Sequence, residues 1–388
     1  MLLTPAAEWS PGMVLARDLH GKNNRLLLCQ GAHLDTAAIR LLNRMGITAV
    51  YVHNPDLEDV IVEDVVPPQL RTDCQESLKK AMLGFQTQAQ NRKLSVNTRD
   101  VEDTTSELVD QLLKNRKPVA AMLEIRDWDD RLFAHSVNTA VLATMMARKL
   151  KLSDTICQQL AMGMIFHDCG QMFLPTELVE KKGRLLAEER KILQKHTRLG
   201  FQKMLQGDFL SPMSSYVVLR HHERMDGMGY PDRVPGSDLH IVARIAAIAE
   251  AFDSMTSARA YSRPVMPDRA VRQLLQQAGT AYDTQAVLAL VQHVAIYPTG
   301  SAVQLNTGEI AIVTATAHGN TTRPTARVFY DPDGQRVPVY DIDLNIHREL
   351  HIARSAVSVS ELKSLPVPHW RKPLNTRSEE ALELPLAA

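Results

Sequence analysis

Two short strings carry side chains able to do chemistry. His167-Asp168 closes an apolar run, Leu160 to Phe166, and is followed by Cys169-Gly170. An imidazole beside a carboxylate at a buried helix end suits a divalent metal, because the aspartate's two oxygens can bridge two ions while the histidine fixes one. His221-His222-Glu223 follows Ser211-Pro212, a good cap and first helical residue, and the apolar pair Val217-Val218. Successive side chains on a helix diverge by about 100°, so this pair reaches two sites, or a ligand and the shell around it. The run then breaks at Asp226-Gly227-Met228-Gly229-Tyr230-Pro231, whose two glycines and proline cannot continue a helix. His135 and His196 lie between and before these strings, and the chain holds 14 histidines in all, so most must be ordinary residues. Taken alone, His196, three and four residues after Leu193 and Ile192, reads as helix packing.

The elements that must position these groups are helical. From about residue 70 to 290, apolar residues recur at spacings of three and four, as in Val137, Val141 and Met145. Before this lies a small α/β module, residues 1–65, with a Pro11-Gly12 turn, Asp35 placed to cap a helix through Met45, Gly46 as its stop, and a β-branched strand at Ile47–Val52. After Val294 the period falls to two, and turns at Asn306-Thr307-Gly308 and Asp331–Gly334 separate short strands. The pattern divides the chain into the N-terminal module (1–65), a helical linker (66–104), a helical domain (105–290), a small β unit (291–350) and a tail (351–388), frayed from about residue 372.

Composition bounds the partners. Lys and Arg total 44, as do Asp and Glu, so the formal charge is zero and a long polyphosphate such as DNA is a poor partner. A hydrophobic fraction of 45% with 23% charged residues describes a folded chain. The four cysteines form no C-x-x-C pair or disulfide framework, the N-terminus lacks a signal peptide's basic and apolar segments, and no run approaches about 18 uncharged apolar residues. The expectation is a cytoplasmic protein with no membrane anchor.

The string His221-His222-Glu223-Arg224-Met225-Asp226-Gly227-Met228-Gly229-Tyr230-Pro231 is similar to the HHExxDGxGYP signature of the HD-GYP family, a branch of the HD metal phosphohydrolases that hydrolyse cyclic di-GMP. His135 falls at that family's first histidine, His167-Asp168 at its HD pair and His196 at its intervening metal histidine; Glu250 and Asp253 fall in its D-x-x-D segment. The resemblance covers about residues 105–285, and residues 1–65 resemble the small domain that often precedes such domains. It implies a mainly α protein with an all-helical HD-type core, flanked by the α/β module and the β unit. It further implies two divalent ions, iron or manganese, with His135, His167, Asp168 and Glu250 around one. Asp168 bridges to the second, which His196, His221 and His222 complete. Asp168 and Gln171 take catalytic roles, and Tyr230, Arg259 and Arg263 bind substrate. The implied ligand is cyclic di-GMP, cleaved to linear pGpG and on toward GMP, with protein partners reached through the GYP loop or the terminal domains.

Three positions depart from the family pattern. Gln171 stands where the HDIGK string has lysine, removing a cation that would sit by phosphate. Glu250 replaces the usual aspartate and remains a hard oxygen ligand. Arg131 stands where some members carry a glutamate for a third ion, which favours a binuclear site; Ser262 replaces a lysine, with Arg263 beside it. Gln171 and Glu250 also suit an alternative, a catalytically weak cyclic di-GMP receptor, and another cyclic dinucleotide is the alternative substrate.

Overall fold

A computed structural model describes residues 1–20, 26–45, 47, 49–62, 64–87, 96–115, 131–181, 183–207, 209–257, 265–317, 319–356 and 358–364. The chain forms two compact units, one of residues 1–20, 26–63 and 295–388, the other of residues 21–25 and 64–294.

The first unit joins the two ends of the chain. Its N-terminal part contains strands β1 (Leu2–Pro5), β2 (Leu19–His20) and β3 (Leu26–Leu28), helix α1 (Thr36–Arg44) and strand β4 (Ala49–Val52). Asp35 caps α1, accepting the Ala38 N–H at 2.6 Å, as its position before the helix predicts; Gly46 lies outside the described residues. β1 pairs antiparallel with β4, and β2 with β3.

The second unit begins with α2 (Pro68–Thr87) and α3 (Arg99–Lys114), then α4 (Arg131–Lys149) and α5 (Asp154–Phe166). A short 3-10 helix, Cys169–Phe173, leads to α6 (Thr176–Val179), α7 (Ala187–Leu193), α8 (His196–Gly207) and α9 (Pro212–Arg220). The unit closes with α10 (Ile241–Thr256), α11 (Pro267–Gln276) and α12 (Thr284–Val291). Helix starts follow local chemistry: Ser153 Oγ caps α5, Ser211 Oγ with Pro212 starts α9, and Asp283 caps α12. α4 packs on α5, α10 and α2, while α5 also packs on α9. α10 is buried around nearly its whole circumference, with Val242, Ile245, Ala246, Ile248, Ala249 and Phe252 all in the core. Such a helix is held by burial on every side and is rigid enough to aim a carboxylate. No described helix is long and apolar enough to cross a membrane.

The chain returns to the first unit through β5 (Ala302–Leu305), β6 (Ile310–Ala315), β7 (Thr325–Tyr330), β8 (Arg336–Asp343), β9 (Ile352–Ala356) and α13 (Val359–Ser364). The five strands make one antiparallel sheet in the order β8-β7-β6-β5-β9, with the two expected turns joining β5 to β6 and β7 to β8. Two boundaries differ from those read along the chain. Residues 352–364, read as tail, form β9 and α13, because Ala356 and Leu362 enter a core with Leu57, Val60, Ile310, Ile312 and Phe329. That core also merges the N-terminal module and the β unit into one body. The Met1 ammonium donates to Leu57 O (2.6 Å), Leu3 N–H to Gly300 O (3.1 Å) and Tyr51 OH to Thr299 O (3.3 Å). Arg327 of β7 grips Asp59 through two 2.7 Å bonds and Asp341 at 2.8 and 3.0 Å. The expected frayed segment after residue 372 lies outside the described residues.

Candidate metal centre

Five helix segments deliver seven side chains to one buried locus in the helical unit. His135 comes from the first turns of α4, His167 and Asp168 from the end of α5, His196 from the first residue of α8, His221 and His222 from the end of α9, and Glu250 from α10. They form two adjoining groups, His135, His167 and Glu250 in one and Asp168, His196, His221 and His222 in the other, with donor atoms inside each group within 4.8 Å. In the first, Glu250 Oε2 lies 2.6 Å from His135 Nε2 and 3.3 Å from His167 Nε2, and the two Nε2 atoms are 3.3 Å apart. In the second, His196 Nε2 is 3.1 Å from His221 Nε2. Asp168 faces both: Oδ1 is 3.2 Å from His196 and 4.0 Å from His221, while Oδ2 is 3.6 Å from His167 and 3.8 Å from His135.

The backbone sets which ring nitrogen points inward. His167, His196 and His221 each donate Nδ1–H to a carbonyl three residues earlier, Met164 O (2.5 Å), Leu193 O (2.8 Å) and Val218 O (2.9 Å). Each sits where a helix ends or begins, and the carbonyl it uses lies one turn away. That bond fixes the tautomer and leaves the Nε2 lone pair for a metal. His135 is oriented in the same sense through Asp253, whose Oδ2 accepts its Nδ1–H at 2.6 Å and turns Nε2 inward. Asp253 is fully buried and also accepts from Asn138 Nδ2 (2.9 Å); Asn138 in turn accepts from Arg71 Nη1 of α2 (2.6 Å). Ser254 Oγ donates to Glu250 Oε1 at 2.5 Å.

Close backbone approaches make the locus compact. A side chain at Gly170 would meet His196 O at 1.9 Å, so only glycine lets the segment after Asp168 touch the start of α8. The loop after His222 folds back on it in the same way. A Cβ at Gly229 would lie 2.5 Å from Arg224 N, and Tyr230 N–H donates to His222 O at 3.2 Å. The Tyr230 ring stacks on His222, 4.5 Å between centroids, and meets His196 edge-on at 6.3 Å. Glu223, the third residue of the His-His-Glu string, is buried. Its carboxylate accepts from the N–H groups of Asp232 (2.8 Å) and Val234 (3.2 Å) and from Arg220 Nη1 (3.0 Å). It fastens the loop that carries Tyr230.

Electrostatics follow from crowding these groups out of water. Burial disfavours a charged His135, but Glu250 and Asp253 outweigh it and push its pKa up to about 10. Burial depresses His222 to about 3, with His196 and His167 adding to the effect and Glu250 opposing it. His221 is held well below the usual imidazole range by burial and by His222, His167 and His196. Against burial, which favours their neutral forms, Asp168 is pulled below the usual carboxylate range by His167 and His196, and Glu250 by His135. Imidazole nitrogens and two ionised carboxylates converging in two adjoining buried groups could hold divalent metal.

Gln171 follows in the short 3-10 helix, half-buried, its N–H on Asp168 O at 2.9 Å. Arg131 is the first residue of α4, and its side chain is not described. Arg259, Ser262 and Arg263 lie outside the described residues. The roles of Asn138, Arg71, Ser254 and the loop-fastening Glu223 escaped the reading of the chain, as did the grip of Asp253 on His135. A signal for two of them was present: Asn138 and Asp253 each follow a candidate ligand, His135 and Glu250, by three residues and so share its helix face.

Residues 107–286 match the family model described as HD domain, and residues 302–365 the one described as KOW domain associated with HD domain. Among curated proteins, the chain is similar to a cyclic di-GMP phosphodiesterase of Pseudomonas aeruginosa, 27% identical over 245 residues, covering 63% of this chain and 59% of that protein. It is similar as well to the cyclic di-GMP phosphodiesterase response regulator RpfG of Xanthomonas campestris, 29% identical over 245 residues, covering 60% and 61%. A third relative, 3'3'-cGAMP-specific phosphodiesterase 2 of Vibrio cholerae, is 29% identical over 195 residues, covering 50% and 36%. The chain thus spans about three fifths of the length of the first two relatives and about a third of the third.

Proposed function

We propose that the chain, whose residues 107–286 match the HD-domain family, is a metal-dependent phosphodiesterase of the HD-GYP branch that hydrolyses cyclic di-GMP to linear pGpG and onward to GMP. The single observation that carries this reading is the pair of adjoining donor groups shared by Asp168, Oδ2 facing one and Oδ1 the other. His135, His167 and Glu250 hold one ion, His196, His221 and His222 the other, and iron or manganese suits the mixed imidazole and carboxylate set. Two divalent ions so held supply Lewis acidity toward a phosphodiester and a nucleophile at neutral pH.

The chain's own groups do the rest. Asp168 aligns the two halves, and the carbonyls of Met164, Leu193 and Val218 keep three imidazoles aimed inward without a reorganisation step. Tyr230, stacked on His222, steadies that ring and is the proposed contact for substrate. Arg259 and Arg263 are the proposed phosphate cations. Gln171 offers the phosphate an amide in place of a cation, which favours a second reading, a slow or silent enzyme that serves as a cyclic di-GMP receptor. We assign the protein to the cytoplasm, on its free cysteines.

Anaerobically purified protein, reconstituted with ferrous or manganous ion and given cyclic di-GMP, is expected to yield pGpG by chromatography. Gln171→Lys is expected to raise turnover about a hundredfold, the lower end of the range for one preorganised electrostatic donor. Tight binding of cyclic di-GMP with no product under either metal refutes the enzyme and leaves the receptor. Faster cleavage of a mixed guanine-adenine cyclic dinucleotide shifts the substrate.

A further inference from the structure

We propose that Arg71, on α2, is a positioning residue for the His135 half of the metal centre and acts through Asn138 and Asp253. The inference rests on the metal-dependent reading above.

The four groups form one continuous chain: Arg71 Nη1 to Asn138 Oδ1 (2.6 Å), Asn138 Nδ2 to Asp253 Oδ1 (2.9 Å), and His135 Nδ1 to Asp253 Oδ2 (2.6 Å). Its polarity has one solution. A guanidinium only donates, so Asn138 must turn its carbonyl oxygen toward Arg71 and its NH2 toward Asp253. An ionised carboxylate only accepts, so Asp253 takes one hydrogen bond from Asn138 and one from His135. The His135 proton therefore stays on Nδ1, and Nε2 faces Glu250 and His167. Without Arg71 the buried Asn138 carbonyl oxygen loses its donor, so the amide is held from one side only and the Asp253 carboxylate is aimed less firmly at the imidazole. Asn138 and Asp253 are fully buried, so water does not repair the loss.

The link crosses between elements. Arg71 belongs to α2, His135 and Asn138 to α4, and Asp253 to α10, so the chain of bonds runs from a helix that supplies no ligand to the one that carries Glu250. Asn138 follows His135 by three residues and Asp253 follows Glu250 by three, so ligand and support share a face on both helices. His196 and His221 of the second group are aimed by backbone carbonyls instead.

The test titrates manganous ion into metal-free, full-length protein by calorimetry, with equilibrium unfolding measured in parallel. The wild-type chain is expected to take up two ions. Arg71→Met, which keeps the apolar stem and removes the donors, is expected to weaken one of the two by about tenfold to a hundredfold, the range for outer-shell partners of a metal-bound histidine. The other ion is expected to change by less than twofold. Arg71→Lys is expected to recover part of the loss. Arg71→Met combined with Asp253→Asn is expected to bind like Asp253→Asn alone, because both act through the same carboxylate. Should Arg71→Met fail to fold, Asn138→Ala reads the same link from its other side. Wild-type affinity for both ions in the variant, or equal weakening of both, overturns the proposal. Because the readout is binding, a protein that takes up two ions yet leaves cyclic di-GMP intact refutes the proposed function and not this inference; a wild-type chain that takes up no ion overturns both.

Discussion

Metal uptake should release a proton at one half of the centre and none at the other. In the metal-free protein, His135 is held protonated between Glu250 and Asp253, with its pKa pushed up to about 10. Its Nε2 cannot accept an ion until that proton leaves. At pH 7 the gap is about three pH units, so displacing the proton costs about 4 kcal/mol of the intrinsic affinity at about 1.36 kcal/mol per unit. His222, depressed to about 3, and His221, held low as well, are already deprotonated and cost nothing. The apparent affinity of the His135 half should therefore rise about tenfold per pH unit between pH 7.5 and 9, above the ordinary imidazole range, while the other half stays flat. The sign for stability is opposite in the metal-free protein. A raised folded-state pKa contributes stability that is fully present below the unfolded value near 6.5 and is lost as pH rises through about 10. Added metal should thus raise the unfolding temperature more at pH 9 than at pH 7. Calorimetric titration in two buffers of different ionisation enthalpy counts the protons directly. One released with one ion and none with the other is expected; no proton release, together with pH-independent affinity at both halves, would refute the reasoning.

Three further outcomes follow from particular contacts. Asp168→Asn removes the charge shared by both donor groups, so both ions should bind weaker by at least tenfold in elemental analysis after dialysis; loss of only one would show that Asp168 does not bridge. Glu223→Ala leaves two backbone N–H groups and Arg220 without their buried acceptor, a loss of about 3 kcal/mol in urea unfolding, and should open the Tyr230 loop to proteolysis; unchanged stability would contradict its role as a fastener. Arg327→Met should lower the unfolding temperature of the unit made from the two chain ends. Asp59, with its pKa drawn down to about 2 chiefly by hydrogen bonds from Arg327, contributes stability that is present above about 4 and lost as pH falls through about 2. The difference between variant and wild type should narrow across that window, and a gap that persists at pH 2 would assign it to packing.

Five of the candidate ligands, His167, Asp168, His196, His221 and His222, lie at helix ends, whereas His135 and Glu250 lie within α4 and α10 and were reached only through the family pattern. His167-Asp168 and His221-His222 announce themselves beside glycines that no apolar helix needs, and the eleven-residue string around Tyr230 narrows the chemistry further. Helix starts at Asp35 and Ser211 were equally local, since a cap is a bond between residues three apart. What was not legible depends on distance along the chain. Arg71 reaches Asn138 across 67 positions, and His135 reaches Asp253 across 118. Nothing in the local pattern distinguishes Arg71 from a solvated arginine.

Sequence alone determined the inventory: a neutral, mainly helical chain with five histidines and two carboxylates of metal-binding type, and β segments after residue 300. Only the tertiary structure decided the partition of those residues into two groups about Asp168, the use of Glu223 as a loop fastener, and the joining of the two chain ends around Leu57, Phe329 and Leu362. The physical reason is common to all three. Propensity and capping act over one turn of backbone, whereas ligand geometry and core formation are set by which faces are excluded from water together, and that is a property of the packed chain.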